Sequence, residues 1–409
     1  IIGLYHQDIH FGTVASLTSK GGADGFVAKF DSKGQYVWSR QIGGTGTDVV
    51  RSIVLDSVGN VYIIGTFQNA VKFGSKTLTS RGKTDAFVSK LDPKGNFKWT
   101  TQVKSVESVA GADVELDKNN NVFIYGHYSG TASFGSTNLT SGGGANVYIS
   151  KLNPNNGAFA WSKHYGTTAP TSSGGRGLGV SSNGNIFFSG RFSGTTTIGT
   201  KKMTSYISGR NNDAFVAMAN SSGVVQWAKR AGGIFDDIGG TSTEVDSFGN
   251  AYFGLRISGS FDFGGTRYSG GFDTGYLFKI DSTGKILWGR GLGRRGRSAI
   301  IDMTFAKNGD VYTTGFFNYQ LEVGGKTIKG ELKEDVFMVA WKANGTFVSA
   351  KWAGGWGEDY AHGIAIAPSG KTYVVGDFGR NFAGRVVKFG PRSLKTKGEN
   401  DIFVWEVTP

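Results

Sequence analysis

The chain has no cysteine, only 6 prolines and no long apolar run among its 409 residues. Without cysteine there are no disulfides and no thiolate metal sites. That absence leaves the compartment open, because a large core needs no disulfide even outside the cell. No stretch reaches the roughly 20 apolar residues of a membrane-spanning helix. Scarce proline means that turns are made otherwise, and 66 glycines supply them. The net charge of +13, from 44 Lys+Arg against 31 Asp+Glu, favours acidic neighbours, yet no long block of like charge occurs. The densest group is Arg290, Arg294, Arg295 and Arg297. Catalytic signatures are missing as well: there is no G-x-S-x-G, Walker-type loop or H-E-x-x-H. The five histidines (His6, His10, His127, His164, His362) share no metal-ligand spacing. No catalytic residue, metal or cofactor is therefore assigned, and an enzyme is the less favoured class.

What the chain does have is repetition. The phrase DAFVSKLD at Asp85–Asp92 returns in variant form at Asp24, Asn146, Asp213, Asp273, Asp335 and Asp401. A long, fixed period dictates architecture before any local reading does. Each repeat alternates in the period-two manner of strands in four segments. In the best-formed copy these are A (Ser52–Asp56), B (Val61–Phe67), C (Asp85–Asp92) and D (Asn96–Val103). The A–B and C–D turns open on Asp or Asn and close on Gly, as in DSVGN at 56–60 and DPKG at 92–95. The side chain caps such a turn and Gly takes the positive φ, so these are hairpins. They are too short for calcium loops and lack the closing carboxylate.

The longer B–C connection carries its own phrase, KFGSKTLTS at 72–80 and its relatives, which predicts a small hairpin tucked against the blade. Aromatic columns run through the repeats. Tyr62, Phe123, Phe187, Tyr252, Tyr312 and Tyr373 form one, and Trp38, Trp99, Trp161, Trp227 and Trp288 another. A tryptophan at one strand position in five repeats points to packing between neighbouring sheets.

The unit DAFVSKLDPKGNFKWTTQV…SIVLDSVGNVYIIGTF resembles the bacterial beta-propeller repeats grouped as the SBBP family, and the likeness extends over essentially the whole chain. The resemblance implies export or display at the cell surface, and it brings no common reaction and no catalytic residues. The expected fold is an all-β, seven-bladed β-propeller with four-stranded antiparallel blades, forming a single domain over residues 1–409. Counting segments leaves strand D of blade seven and strand A of blade one unaccounted for. Ile1–Gly3 matches the mid-strand Ile63–Gly65, so the chain reads as a piece of a longer precursor whose upstream residues supply both strands.

Function is expected where the copies disagree, on the edge carrying the long loops. Candidate ligand-binding residues there are Arg51, Arg176, Asp236, Asp237, Arg294, Arg295, Arg297, Trp356, Asp359 and His362. The polar register of segment A places Asp113, Glu115, Glu244 and Asp302 toward a central tunnel, which holds water or a cation. The leading expectation is a non-enzymatic, secreted or cell-surface module. It would contact other extracellular proteins or anionic glycans within a larger complex, with no specific nucleic acid and no transmembrane segment. The alternative is a carbohydrate-active protein, a lectin or a polysaccharide lyase or hydrolase, using the same face.

Overall fold

Alternation in the B and C segments becomes antiparallel pairing. Val61–Phe67 lies against Asp85–Leu91 with Phe67 opposite Asp85 and Val61 opposite Leu91. Segment D, Phe97–Ser105, continues the sheet with Trp99 opposite Lys90, and segment A, Val49–Leu55, closes its other side against B. Order A-B-C-D recurs in Ser108–Leu116, Val122–Ser129, Asn146–Leu152 and Phe159–Tyr165, and again from Gly239 and from Ser298. The computed structural model describes residues 1–166, 174–207, 211–293, 295–380, 384, 386–397 and 400–408; for 174–176 and 332 it describes the backbone alone.

Contacts divide the chain into two compact units. The first, residues 1–184 with 196–199, holds the sheet Ile2–Tyr5, Asp24–Phe30, Tyr36–Ile42, then two four-stranded sheets and the A strand Gly174–Val180. The second, residues 185–195 with 200–409, holds the B, C and D strands of the fourth repeat and two four-stranded sheets. It ends in the sheet Glu358–Ile366, Thr372–Arg380, Asp401–Val407.

The seven-bladed expectation is corrected by this strand count. Propeller-type sheets recur, but among the described residues the first repeat has no A strand and the last no D strand, so the sheets within residues 2–42 and 358–407 have three strands each. The described strands make five sheets with the full A-B-C-D set and two with three strands, not the seven four-stranded blades expected. Repetition of the phrase beginning segment C counts C strands only, and a C strand is present whether or not its blade is complete.

Two glycine positions are fixed by contact in several repeats. Gly65 on B faces a bulge in A, and a Cβ there would lie 1.9 Å from the Val49 carbonyl oxygen; Gly126, Gly315 and Gly376 meet Ala110, Ala299 and Tyr360 in the same way. In the C–D turn, Gly157 has φ 70° and would put a Cβ 2.5 Å from the Trp99 ring. Gly95, Gly284 and Gly345 receive Trp38, Trp227 and Trp288 likewise. Each of these indoles also donates Nε1–H to a carbonyl of the turn it covers: Trp38 to Pro93, Trp99 to Pro154, Trp227 to Ser282 and Trp288 to Ala343, at 3.0–3.1 Å. Four of the five tryptophans of the column therefore join their sheets to the next repeat, as the sequence predicts.

The B–C hairpin also works between repeats. Thr131–Phe134, paired with Thr137–Thr140, adds to the D strand of the preceding repeat through Lys104 and Ser105. Phe261–Phe263 and Val386–Phe389 add to Val225–Gly233 and Phe347–Gly355 in the same manner. Its aromatic residue meanwhile packs on the C strand of its own repeat. Phe73–Phe87, Phe134–Tyr148, Phe263–Phe278 and Phe389–Phe403 have ring centroids 4.7–4.9 Å apart. One hairpin thus ties two sheets, and each such ring pair contributes about 0.5–1.5 kcal/mol beyond its buried area.

Candidate functional site

The long-loop edge is built on buried carboxylates. Asp85, at the start of C, accepts from the Ser105 N–H at 2.9 Å on one oxygen, and from the Arg81 N–H and Gln102 Nε2 on the other. Asp213 accepts from the Tyr206 N–H and from Arg230 at 2.6 Å, and Asp335 from the Glu331 N–H. A second aspartate, at the start of A, joins three of the junctions. Asp48 accepts from Gly44 and Gln68, Asp237 from Ser258 and Asp359 from Gly379, all through backbone N–H groups. These six carboxylates are fully buried. Burial outweighs the N–H groups and pushes Asp48 up to about 6, Asp335 and Asp359 to about 7 and Asp237 to about 8. Of the candidate residues, Asp237 and Asp359 are thus interior fastenings of the loop.

Register shifts place three other candidates at equivalent points. Val50 lies opposite Gly65 and Ser52 opposite Ile64, so Arg51 is the extra residue of a bulge. His362 is the extra residue between Ala361 and Gly363, and by repeat count Arg176 holds the same place, with its side chain outside the described residues. A bulge bends its strand and re-aims that one side chain. The next residue points to the neighbouring A strand. Asp113 accepts from the Leu178 N–H and Asp302 from the Ile364 N–H, both at 2.9 Å, while Ser52 Oγ accepts from Val114. Burial raises Asp113 to about 6 against these hydrogen bonds. Glu115 and Glu244, two positions further along, are half-buried and engaged.

The last three repeats depart from this plan. In the fifth, Thr274 takes the position opposite Ile257 that Asp85 takes opposite Phe67, and the aspartate moves back one residue to Asp273, with φ 60°. Left-handed backbone at a non-glycine residue costs roughly 1 kcal/mol and collects at functional sites. Asp273 receives Arg297 Nε at 2.9 Å and also Arg256, and Arg297 reaches Glu334 at 3.3 Å. Burial works to lower the Arg297 pKa, but the Asp273 hydrogen bond and the two acidic charges hold it above its ordinary value. Arg256 lies over Phe316 at 5.1 Å, Phe316 meets Tyr360 edge-on at 5.0 Å, and Arg380 covers Tyr360 at 5.2 Å. Asp377 pairs with both His362 and Arg380. The carboxylates of Asp273, Glu334 and Asp377 are less than 10% exposed, whereas Arg297, Arg380 and His362 are 45–56% exposed. Buried acids therefore aim exposed cations outward. Trp356, in the turn just ahead of this A strand, is 68% exposed. Arg295 is exposed too, and Arg294 lies outside the described residues.

Residues 37–66 match the family model for the SBBP beta-propeller repeat. The chain carries an SBBP beta-propeller repeat. Over 130 residues, 29% of the chain, it is 30% identical to a stretch making up 9% of "Uncharacterized WD repeat-containing protein L264" from Acanthamoeba polyphaga mimivirus. Over 135 residues, 32% of the chain, it is 24% identical to 14% of "Regulatory protein FlaEY" from Caulobacter vibrioides. The matches thus span only a small part of either relative's own length. Among solved structures, a protein of unknown function from Bacteroides caccae superposes with a TM-score of 0.41 at 10% identity, covering 80% of this chain and 93% of that one. Quinohemoprotein alcohol dehydrogenase from Comamonas testosteroni gives 0.42 at 12% identity, covering 84% and 53%.

Against the SBBP repeat pattern, the structure links Arg297 to His362 through Asp273, Arg256, Phe316, Tyr360, Arg380 and Asp377 in turn, with Trp356 just ahead of the strand that carries His362. Asp236 stands apart, accepting from Asn212 in an exposed loop. Sequence reasoning missed Arg256, Tyr360, Asp377 and Arg380. A signal existed for Arg256 alone: it replaces the Thr66, His127 and Arg191 class of half-buried B-strand residues, and becomes meaningful only once Asp273 is seen out of register.

Proposed function

We propose that this SBBP-repeat chain is a non-enzymatic binding module of an exported or cell-surface assembly, and that the long-loop face of its last three repeats engages an acidic partner surface, protein or glycan. The observation that carries this reading is the pairing of exposed Arg297, His362 and Arg380 with buried Asp273, Glu334 and Asp377, beside the exposed Trp356. Arginine and tryptophan dominate the energetics of interfaces, and cations already oriented by buried acids lose little entropy on binding. The net charge of +13 adds long-range attraction for such a partner. A glycan-binding, lectin-like role is the second reading, favoured by Trp356 alone. The test is binding of immobilised acidic glycans and acidic peptides by the wild type and by Trp356→Ala and Arg295→Ala/Arg380→Ala variants. The module reading expects both variants to lose about tenfold or more in affinity for the ligand that the wild type binds. A lectin loses signal with Trp356→Ala only. Unchanged binding in both variants removes this face from consideration.

A further inference from the structure

The first compact unit carries a groove that the repeat pattern does not account for. It has a volume of about 550 Å³ and lies between the D strand of the first repeat and the hairpin and D strand of the second. Lys20, Arg40, Lys72, Lys76 and Lys98 line it together with Trp99, and among the described residues no carboxylate does. Lys98 is particular to this junction. Where the second repeat has Lys98 before its tryptophan, the other D strands have Val37, Ala160, Gln226, Leu287 and Val348. Where it has Lys72 before the hairpin aromatic, other repeats have His10, Ser133, Thr197, Asp262 and Glu322, and the seventh shares a lysine, Lys388. Such a change in a repeat built otherwise for packing marks a surface with a task of its own.

Two of the five cations have structural duties. Arg40 donates to the Gly95 and Lys94 carbonyls, and Lys76 donates to the Thr100 carbonyl at 2.6 Å. That second bond occupies the outer edge of the D strand and obstructs pairing with an incoming peptide strand. Lys20, Lys72 and Lys98 line the groove and stay exposed. The neutral polar groups of Ser75 and Asn96 stand among them.

We propose that this groove is a binding site for an acidic polysaccharide, its uronate or sulfate groups meeting Lys20, Lys72 and Lys98 and its hydroxyls meeting Ser75 and Asn96. The volume lies in the range of small-ligand sites and accommodates a few sugar rings. Attraction comes from exposed cations on a concave surface that no described carboxylate lines, and the local potential is focused there. Lys98 also interacts with Asp92. The site is separate from the face assigned above: it rests on different residues, and its outcome does not depend on Trp356.

The experiment is titration of the full chain with alginate oligosaccharides, with chondroitin sulfate oligosaccharides and with poly-glutamate, following Trp fluorescence and heat at low and at physiological salt. The expected result is salt-sensitive binding of one or both oligosaccharides. Measured in a Trp356→Ala background, which removes the face assigned above, binding should persist and should weaken about tenfold or more when Lys72→Glu/Lys98→Glu is added. Lys118→Glu/Lys285→Glu, which alters net charge equally at exposed turns, should bind as the wild type does. Equal loss in that control would mean diffuse attraction by net charge and would overturn the proposal. Binding of poly-glutamate as tight as that of both oligosaccharides would overturn the polysaccharide assignment, and no binding of either oligosaccharide would overturn the site. All four lysines are exposed, so the variants fold, and matching circular dichroism confirms it.

Discussion

Removing the Trp227 indole tests how one repeat is fastened to the next. The side chain is 9% exposed, packs against Phe187 at 6.2 Å and donates Nε1–H to the Ser282 carbonyl at 3.0 Å. Deleting a buried aromatic ring typically costs about 3–5 kcal/mol, so Trp227→Ala should lower stability by that amount. Trp227→Phe keeps most of the ring but loses the hydrogen bond, about 1 kcal/mol, and some packing, for a total of about 2 kcal/mol. Gly284 supplies the other half of the contact. Its φ is 88°, and a Cβ there would lie 3.0 Å from the indole. Gly284→Ala therefore carries a backbone cost of about 1 kcal/mol plus displacement of the ring. Only the backbone part remains when Trp227 is already alanine, so the two substitutions should be non-additive by about 1 kcal/mol or more. Urea unfolding of the four proteins of this cycle measures the coupling. Strict additivity, or a Trp227→Ala cost below about 1 kcal/mol, would refute the fastening role.

Three further outcomes follow from other contacts. Gly315→Ala should destabilise by several kcal/mol, because its methyl would lie 1.8 Å from the Ala299 oxygen; soluble, wild-type-like protein in thermal melts would argue against the bulge geometry. Lys279→Met should cost about 1.5–3 kcal/mol, since it removes the cation that the Asp246 carboxylate meets at 3.0 Å, both groups under 10% exposed. The carboxylate keeps its Phe248 and Asn250 donors, and urea midpoints read the loss directly. The third concerns pH. Burial raises Asp48, Asp237, Asp335 and Asp359 to about 6, 8, 7 and 7. A carboxyl raised on folding binds more protons in the native than in the unfolded state, so its stabilising contribution is full below about pH 4 and is lost as pH rises through the folded value. Unfolding midpoints should therefore decline between about pH 4 and pH 8, and Asp237→Asn should flatten that decline. A midpoint that rises across the same interval would contradict the burial of these groups.

Much of the architecture was legible in the repeat. Turn positions, the tryptophan column and the strand order A to D follow from spacing and alternation, because each is local to one repeat or repeats identically. The three-stranded sheets at either end were legible too, since counting segments left A of the first repeat and D of the last unaccounted for. The number of complete blades was not, because the C phrase is copied whether or not its blade is complete. The pairing of the Thr131–Phe134 hairpin with the preceding repeat's D strand was also hidden, since a strand's partner is not written in its own alternation. At the candidate site, sequence singled out Arg297, Trp356 and His362, which differ from their counterparts in other repeats. It could not separate them from Asp237 and Asp359, whose burial depends on glycines and backbone N–H groups brought in from other strands. Asp273 was read as one more copy of the repeat's aspartate, and only its left-handed backbone and shifted register show that it serves Arg256 and Arg297 instead.

The most direct test of the functional account is the affinity of the intact chain for its acidic partner, measured side by side for the wild type, Trp356→Ala and Arg295→Ala/Arg380→Ala. The account predicts that both variants fold as the wild type does and bind about tenfold or more weakly. Wild-type affinity in both would contradict it.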